Sequence, residues 1–275
     1  MEMTGSRLTL VLLAGIAAAC SASDTTFATP DTDNFVIQAY LYAGERVADV
    51  SVRGVLPIDA DSTEVAEPVT GATITLVRNG ARYALVPTSG EPGRYHYPGT
   101  DVTVAVGDRF GLAVTVGTRT ATAETTVPEA PVGLEMSADS MVVDDTFQPG
   151  FGGFGSMGGG IIARWSNPGS RFYFLVVDNL EEAPEALPFT ERFGGFAPRF
   201  VSQPTAADSS VIRSLSLTHY GRHRLRLYRV NDEYADLYRG LSQDSRDLNE
   251  PPTNVKNALG VFTAFAADSA FFAVR

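Results

Sequence analysis

The sequence predicts an all-β chain of two antiparallel β-sandwich domains, the second carrying one short helix. Three observations predict it. From Phe35 onward, apolar residues recur with a period of two over short runs. Turn signals rich in glycine, proline and asparagine break those runs at intervals of about eight to twelve residues, the rhythm of sandwich strands. Only one stretch, after Asn231, repeats apolar residues at helical spacing.

The first domain spans 34–128. Ala72, Ile74 and Leu76 share one strand face, with Thr73 and Thr75 on the other. Asn79-Gly80 supplies the dipeptide of a two-residue type I′ hairpin, whose turn positions both need positive φ. Tyr83 and Leu85 carry the apolar face back along the return strand. Gly93–Tyr97 is a short strand with Tyr95 and Tyr97 on one side. Gly107-Asp108 opens a strand whose Phe110, Leu112, Val114 and Val116 align, and Gly117 turns it into threonine-rich Thr118–Val127. Pro128 and Pro131 close the domain. The spacing Gly71-Ala72-x-Ile74-x-Leu76, then Gly93-x-Tyr95, then Gly107 to Leu112 resembles the prealbumin-like, carboxypeptidase-regulatory type of immunoglobulin-like module. Such a fold names no ligand by itself.

The second domain spans 129–275. Its residues 149–160 are glycine-rich but lack the Gly-Lys-Ser/Thr of a phosphate loop, so a nucleotide site is rejected. They read as a connection between strands or as a mobile binding loop offering Phe151, Phe154 and Met157. Ile161–Trp165 and Arg171–Asn179 read as paired strands joined by an Asn167-Pro168-Gly169 turn, with Trp165 and Tyr173 as core anchors. This pattern is similar to a fibronectin-like sandwich. Residues 180–210 read as irregular and hold Phe193-Gly-Gly-Phe196, an echo of the earlier loop. Val211–Leu217 and Arg222–Val230 resume as strands. Asn231 is placed to cap a helix whose Asp232 and Glu233 favour its N-terminus, with Tyr234, Leu237, Tyr238 and Leu241 on one face. Leu259–Phe265 and Ala270–Val274 read as two final strands.

Before these domains, Leu8–Ala19 is an apolar run shorter than the roughly 20 residues of a membrane span and of the length of a secretory signal core. It ends at Cys20, the single cysteine. Residues 1–19 are therefore expected to be a lipoprotein signal peptide, Cys20 the acylated residue, and residues 20–33 a flexible tether reaching about 20 Å. Two or more acyl chains make anchoring effectively permanent. Ser21, where retention at the inner membrane favours Asp, points to the outer membrane, on a face left open. The alternative is an ordinary secretory signal with Cys20 a free thiol.

Composition excludes some classes of function. The formal net charge of −11 repels phosphate backbones, so no nucleic-acid partner is expected. His219 and His223 are four apart, yet no third zinc ligand has convincing spacing. Asp59, Asp61 and Glu64 alternate without the rest of a calcium loop. Glu181, Glu182 and Glu185 carry no sign of the opposed geometry that glycoside hydrolysis needs, and no nucleophile elbow accompanies any Ser and His. The expectation is a non-enzymatic protein without metal or cofactor.

At the C-terminal end, Glu250-Pro-Pro-Thr-Asn254-Val-Lys-Asn257-Ala-Leu-Gly260-Val-Phe262 resembles the closing signature of an uncharacterised group of Bacteroidota lipoproteins, domain-of-unknown-function family 4249. The resemblance covers nearly the whole chain after the signal. Ala258 stands where Gly is expected, and Asn254 and Asn257 are closely spaced. Members of that family look like outer-membrane lipoproteins often encoded beside TonB-dependent receptors. The resemblance implies a non-enzymatic accessory or ligand-binding component of TonB-dependent uptake, with outer-membrane lipid and a receptor barrel as partners. A structural or adhesive envelope module without a transported ligand is the alternative, and a hydrolase of envelope polymers a weaker one. Candidate ligand or partner contacts are Phe151, Phe154, Met157, Phe193 and Phe196. The segment Asn254–Gly260 is expected to fix the last strand rather than touch a ligand.

Overall fold

In this computed structural model, residues 34–56, 60–61, 63–143, 160–187, 190, 199–239 and 253–275 are described, and their burial follows the alternation of the sequence. In β1 (Phe35–Tyr42), Phe35, Ile37, Ala39 and Leu41 point into a core while Gln38, Tyr40 and Tyr42 point outward. β2 (Asp49–Gly54) returns antiparallel beside it. β3 (Thr73–Arg78) and β4 (Ala81–Pro87) form the expected hairpin, with Asn79 and Gly80 at φ 51° and 81°. β5 (Arg94–His96), β6 (Arg109–Val116) and β7 (Arg119–Thr126) complete the first sandwich. Ile37 and Val52 meet Leu76, Phe110 and Val114 in one core. Tyr95 is fully buried there, and its hydroxyl donates to the Val69 carbonyl at 2.7 Å and accepts the Ala72 N–H at 3.1 Å. A buried phenol is tolerated only when so satisfied.

The second sandwich starts with β8 (Glu135–Met136), β9 (Ser140–Met141) and β10 (Ile161–Arg164). β11 (Phe172–Asn179), β12 (Arg199–Val201), β13 (Ser209–Ile212) and β14 (Gly221–Val230) follow. After them come α1 (Asp232–Arg239) and β15 (Leu259–Val274). One three-stranded sheet runs β13-β10-β8. The other strands join a 12-stranded sheet in the order β12-β11-β14-β15-β1-β2-β5-β4-β3-β6-β7, with β9 alongside β15. The fold is thus all-β, an immunoglobulin-like sandwich followed by a fibronectin-like one with a short helix.

Five expectations change in detail. Ile161–Trp165 and Arg171–Asn179 do not pair: β10 joins β13 and β8, while β11 joins β12 and β14. Asn167 makes the turn between them a corner between sheets, since its side chain accepts the Arg171 N–H and donates to the carbonyls of Arg171 and Ala206. Trp165 and Tyr173 are nonetheless core anchors, their rings 5.6 Å apart across the two sheets. The strand expected over Val211–Leu217 runs from Ser209 to Ile212 and ends in a 3-10 turn at Ser214–Ser216, and β12 lies inside the stretch expected to be irregular.

Asn231 caps α1 only with its carbonyl, which accepts the N–H groups of Tyr234 and Ala235. Its side-chain amide donates instead to Thr125 Oγ1 and the Thr126 carbonyl on β7, at 3.1 and 2.8 Å. Lastly, the two final strands are one strand of 16 residues. Asp268 and Ser269 do not break it, because they stay paired with Leu227 and Arg226 of β14.

β15 is shared by the two sandwiches. Residues 259–265 run parallel to β1, and residues 265–274 run antiparallel to β14. Phe262 and Ala264 pack in the first core, Phe272 and Val274 in the second. The Asn254–Gly260 segment fixes this strand, as its side chains imply. Asn254 Oδ1 accepts the Phe262 N–H at 2.9 Å, and its Nδ2 donates to the Phe262 carbonyl at 2.7 Å. The side chain thereby stands in for a neighbouring strand along the edge that β1 does not cover. Thr122 and Lys256 exchange backbone hydrogen bonds, and Asn257 Nδ2 donates to the Thr120 carbonyl, so the segment also ties to β7. Gly260 sits at φ 110°, where a Cβ would lie 1.9 Å from the Ile37 carbonyl oxygen. Only glycine allows β1 to approach so closely.

Candidate binding cleft

Where β15 passes from one sandwich to the other, aromatic side chains gather outside both main cores. β1 contributes Tyr40 and Tyr42, its outward residues. β11 contributes Phe174, β14 Tyr228, α1 Tyr234 and β15 Phe265. Phe265 is the hub, with ring centroids 5.8 Å from Tyr40, 5.2 Å from Tyr42, 5.6 Å from Phe174 and 4.9 Å from Tyr234. Phe174 and Tyr228 stack at 4.9 Å, and the Tyr234 and Tyr238 hydroxyls are 3.1 Å apart. Edge-to-face and offset contacts of this kind add about 0.5–1.5 kcal/mol each beyond burial.

The cluster is not sealed. It floors a cavity of about 280 Å³ whose walls also include Glu45, Val176, Arg199, Val201 and Arg226. That volume is close to the lower bound, about 300 Å³, of small-molecule sites. Arg226 lies over the Tyr228 ring at 5.5 Å and donates to Asp178 at 2.7 Å. Arg199 and Arg224 approach the same carboxylate at 3.3 and 3.7 Å. Burial, followed by the negative charge of Asp49, pushes the Tyr40 phenol up to about 12 and raises Tyr42 as well. Burial likewise raises Tyr228 and Tyr234, the latter helped by its bond to Tyr238. These phenols are therefore neutral hydrogen-bonding groups at physiological pH.

α1 spans the cleft from the second sandwich to the first. Tyr234 lines the cavity, while Glu233 accepts from Thr125 Oγ1 at 2.9 Å and Asn231 reaches the same threonine. The helix thus holds one wall in place through β7.

Cys20, Phe151, Phe154, Met157, Phe193 and Phe196 fall outside the described residues, as does Asp59. His223 is 3% exposed, stacked on Phe272 at 5.3 Å, with Nε2 3.2 Å from Asn179 Nδ2 and Nδ1 3.1 Å from the Gly221 carbonyl. Burial lowers its pKa. His219 Nδ1 pairs with Thr218 Oγ1. Glu181 accepts the Arg222 N–H at 2.7 Å, and the Glu185 carbonyl accepts the Tyr220 N–H. Among the described residues, no three His, Cys, Asp or Glu side chains gather as a metal set.

The cleft left two marks in the sequence. Residues 172–177 of β11 are apolar on both faces, the mark of a strand covered on both sides. Arg222, Arg224, Arg226 and Tyr228 then alternate along one face of β14. That these faces meet the outer side of β1 is a long-range fact that no local pattern carries.

Fold and cleft together define an all-β chain in which two linked sandwiches share a strand and enclose an aromatic recess. Residues 23–270 match the family described as "Domain of unknown function (DUF4249)", and the chain belongs to that family. No curated protein matches the sequence. Among solved structures, the chain is similar to the chicken CNTN1 FN1–FN3 domains, at 10% identity, covering 70% of this chain and 59% of that one, with a TM-score of 0.26. It is similar to titin domains A168–A170, at 9% identity, 88% and 67% coverage and a TM-score of 0.22. A 1.5-MDa bacterial ice-binding adhesin gives 11% identity, 88% and 64% coverage and a TM-score of 0.23. The chain thus spans between 59% and 67% of those structures. At such TM-scores the likeness carries no functional argument.

Proposed function

We propose that this protein is a lipid-anchored ligand-binding component of the outer membrane, accessory to TonB-dependent uptake, and that the aromatic cleft holds its ligand. One observation carries the reading: rings that could have closed into a dry core instead floor an open recess edged by arginines. Fully apolar packing there gives more burial and more stability than a recess does. Convergent phenols and guanidiniums on a rigid two-sandwich frame suit recognition of a small molecule. The signal-like run ending at Cys20 supplies the anchor. No group in the cleft pairs a nucleophile with a base, and the reading is non-enzymatic.

The test is site-specific photocrosslinking in living cells. A benzophenone side chain at Val201, 50% exposed at the cleft, is compared with one at Val65, 74% exposed on the first sandwich. The expected product at Val201 is an outer-membrane barrel identified by mass spectrometry, and it should diminish when the transported nutrient is withdrawn. Capture equal at both positions, or at neither, overturns the reading.

A further inference from the structure

We propose that the cleft takes a monoanionic organic acid, its carboxylate held by Arg226 and Arg199 and its apolar body laid against the rings. This rests on the cleft being a ligand site and adds the chemical class of the ligand.

The outer face of the sheet is graded along its strands. Phe172, Val230 and Phe265 stand abreast in an apolar row, followed by Phe174, Tyr228 and Ala267. The next row brings Val201, Val176, Arg226 and Ser269 together, and the one after it Arg199, Asp178, Arg224 and Phe271. Each row is two residues further along, about 7 Å at about 3.3 Å per residue. Within one row spacing, the face passes from phenyl rings to guanidinium groups. Ala267 and Ser269 are small and exposed, so the strip between the two zones is open.

Charge on this face does not balance. Three guanidiniums surround the single carboxylate of Asp178. Counting Glu45 on the cavity wall, and leaving aside Arg222, which lies over Phe271 one row beyond, one positive charge remains among the described residues of the cleft, in a chain whose formal net charge is −11. Arg199 and Arg226 both line the cavity with part of the side chain open to it, 54% and 22% exposed, and the planar fork of arginine fits a carboxylate with two parallel bonds. A neutral ligand leaves the surplus charge unmatched. A dianion such as a phosphate ester brings a second negative charge against Glu45 and Asp178.

The experiment is isothermal titration of the full chain with 2-naphthoate, with its isosteric neutral amide 2-naphthamide, and with octanoate. The expected result is that naphthoate binds at least about tenfold more tightly than naphthamide, a difference of about 1.4 kcal/mol. Arg226→Gln should erase that difference. Asp178→Asn should widen it, because the competing internal carboxylate is gone, and a merely damaged fold does not bind an anion more tightly. Octanoate binding in place of naphthoate, with the same response to both substitutions, supports the acid and assigns an alkyl body. Equal affinity for naphthoate and naphthamide overturns the proposed ligand class and leaves the cleft a binding site. Binding of none of the three at millimolar concentration also overturns it, and the Val201 crosslink then judges the cleft separately.

Discussion

Asn254 makes the clearest quantitative case. Its side chain occupies both backbone groups of Phe262, a fully buried residue, at 2.9 and 2.7 Å, and its third contact, to the Glu124 carbonyl at 3.3 Å, is weaker. Asn254→Ala removes both partners at once. Leaving a buried backbone donor or acceptor unsatisfied costs about 1–3 kcal/mol, and entry of water into the vacated space lowers that, so the pair is worth about 2–4 kcal/mol. In a chain of this size each kcal/mol moves the melting midpoint by about 2–4 °C. The expected fall in Tm is therefore about 4–16 °C, read by far-ultraviolet circular dichroism and checked by urea unfolding. Asn254→Asp keeps the acceptor for the Phe262 N–H but sets a negative charge against its carbonyl, so near neutral pH it should destabilise as well. Protonating that carboxyl restores a donor, and the gap to wild type should narrow in acid. A loss below about 0.5 kcal/mol for the alanine variant refutes the view that this side chain replaces a strand.

Gly260→Ala should be more damaging than Asn254→Ala, because its Cβ meets the Ile37 carbonyl oxygen and no rotamer relieves a backbone clash; soluble yield and Tm both report it. Phe265→Ala removes the hub of the ring cluster and should cost about 3–5 kcal/mol. Because β15 serves both sandwiches, Trp165 fluorescence and circular dichroism should still report one coincident transition, and two separated transitions contradict the sharing. Tyr40 has a folded pKa raised to about 12 from 10.0, so its contribution to stability is complete below pH 10 and is lost as pH rises toward 12. Tyr40→Phe should therefore move the alkaline unfolding midpoint upward, followed by tyrosinate absorbance. Cys20→Ser should release the protein from the membrane fraction and abolish palmitate labelling; retention in the membrane contradicts acylation at that residue.

Much of the first sandwich was legible because its signals are local. The Asn79-Gly80 turn and the Phe110–Val116 alternation each act over a few residues, and backbone geometry enforces them. The second sandwich was read less well where a local pattern has two outcomes. Asn167-Pro168-Gly169 reads equally as a hairpin or as a corner, and side-chain bonds to residues near 206 decide it. Asp268 and Ser269 look like a strand end, yet pairing with β14 carries the strand through. Asn231 has the chemistry of a cap, but its amide finds donor work on β7. The cleft was legible only as the doubly apolar run of β11 and the arginine alternation of β14; that these faces meet the outer face of β1 follows from β15, which pairs with both β1 and β14.

That shared strand also governs how the molecule is assembled. The groove beside β1 is filled by residues that lie most of the sequence away, so the amino-terminal half stays unfinished until residues 259–265 have been synthesised. Contacts of such separation make for slow folding. Until β15 arrives, the bare flank of β1 is open to any extended peptide, including the same segment of a neighbouring molecule. A frameshift late in the gene therefore takes a strand from both sandwiches rather than one.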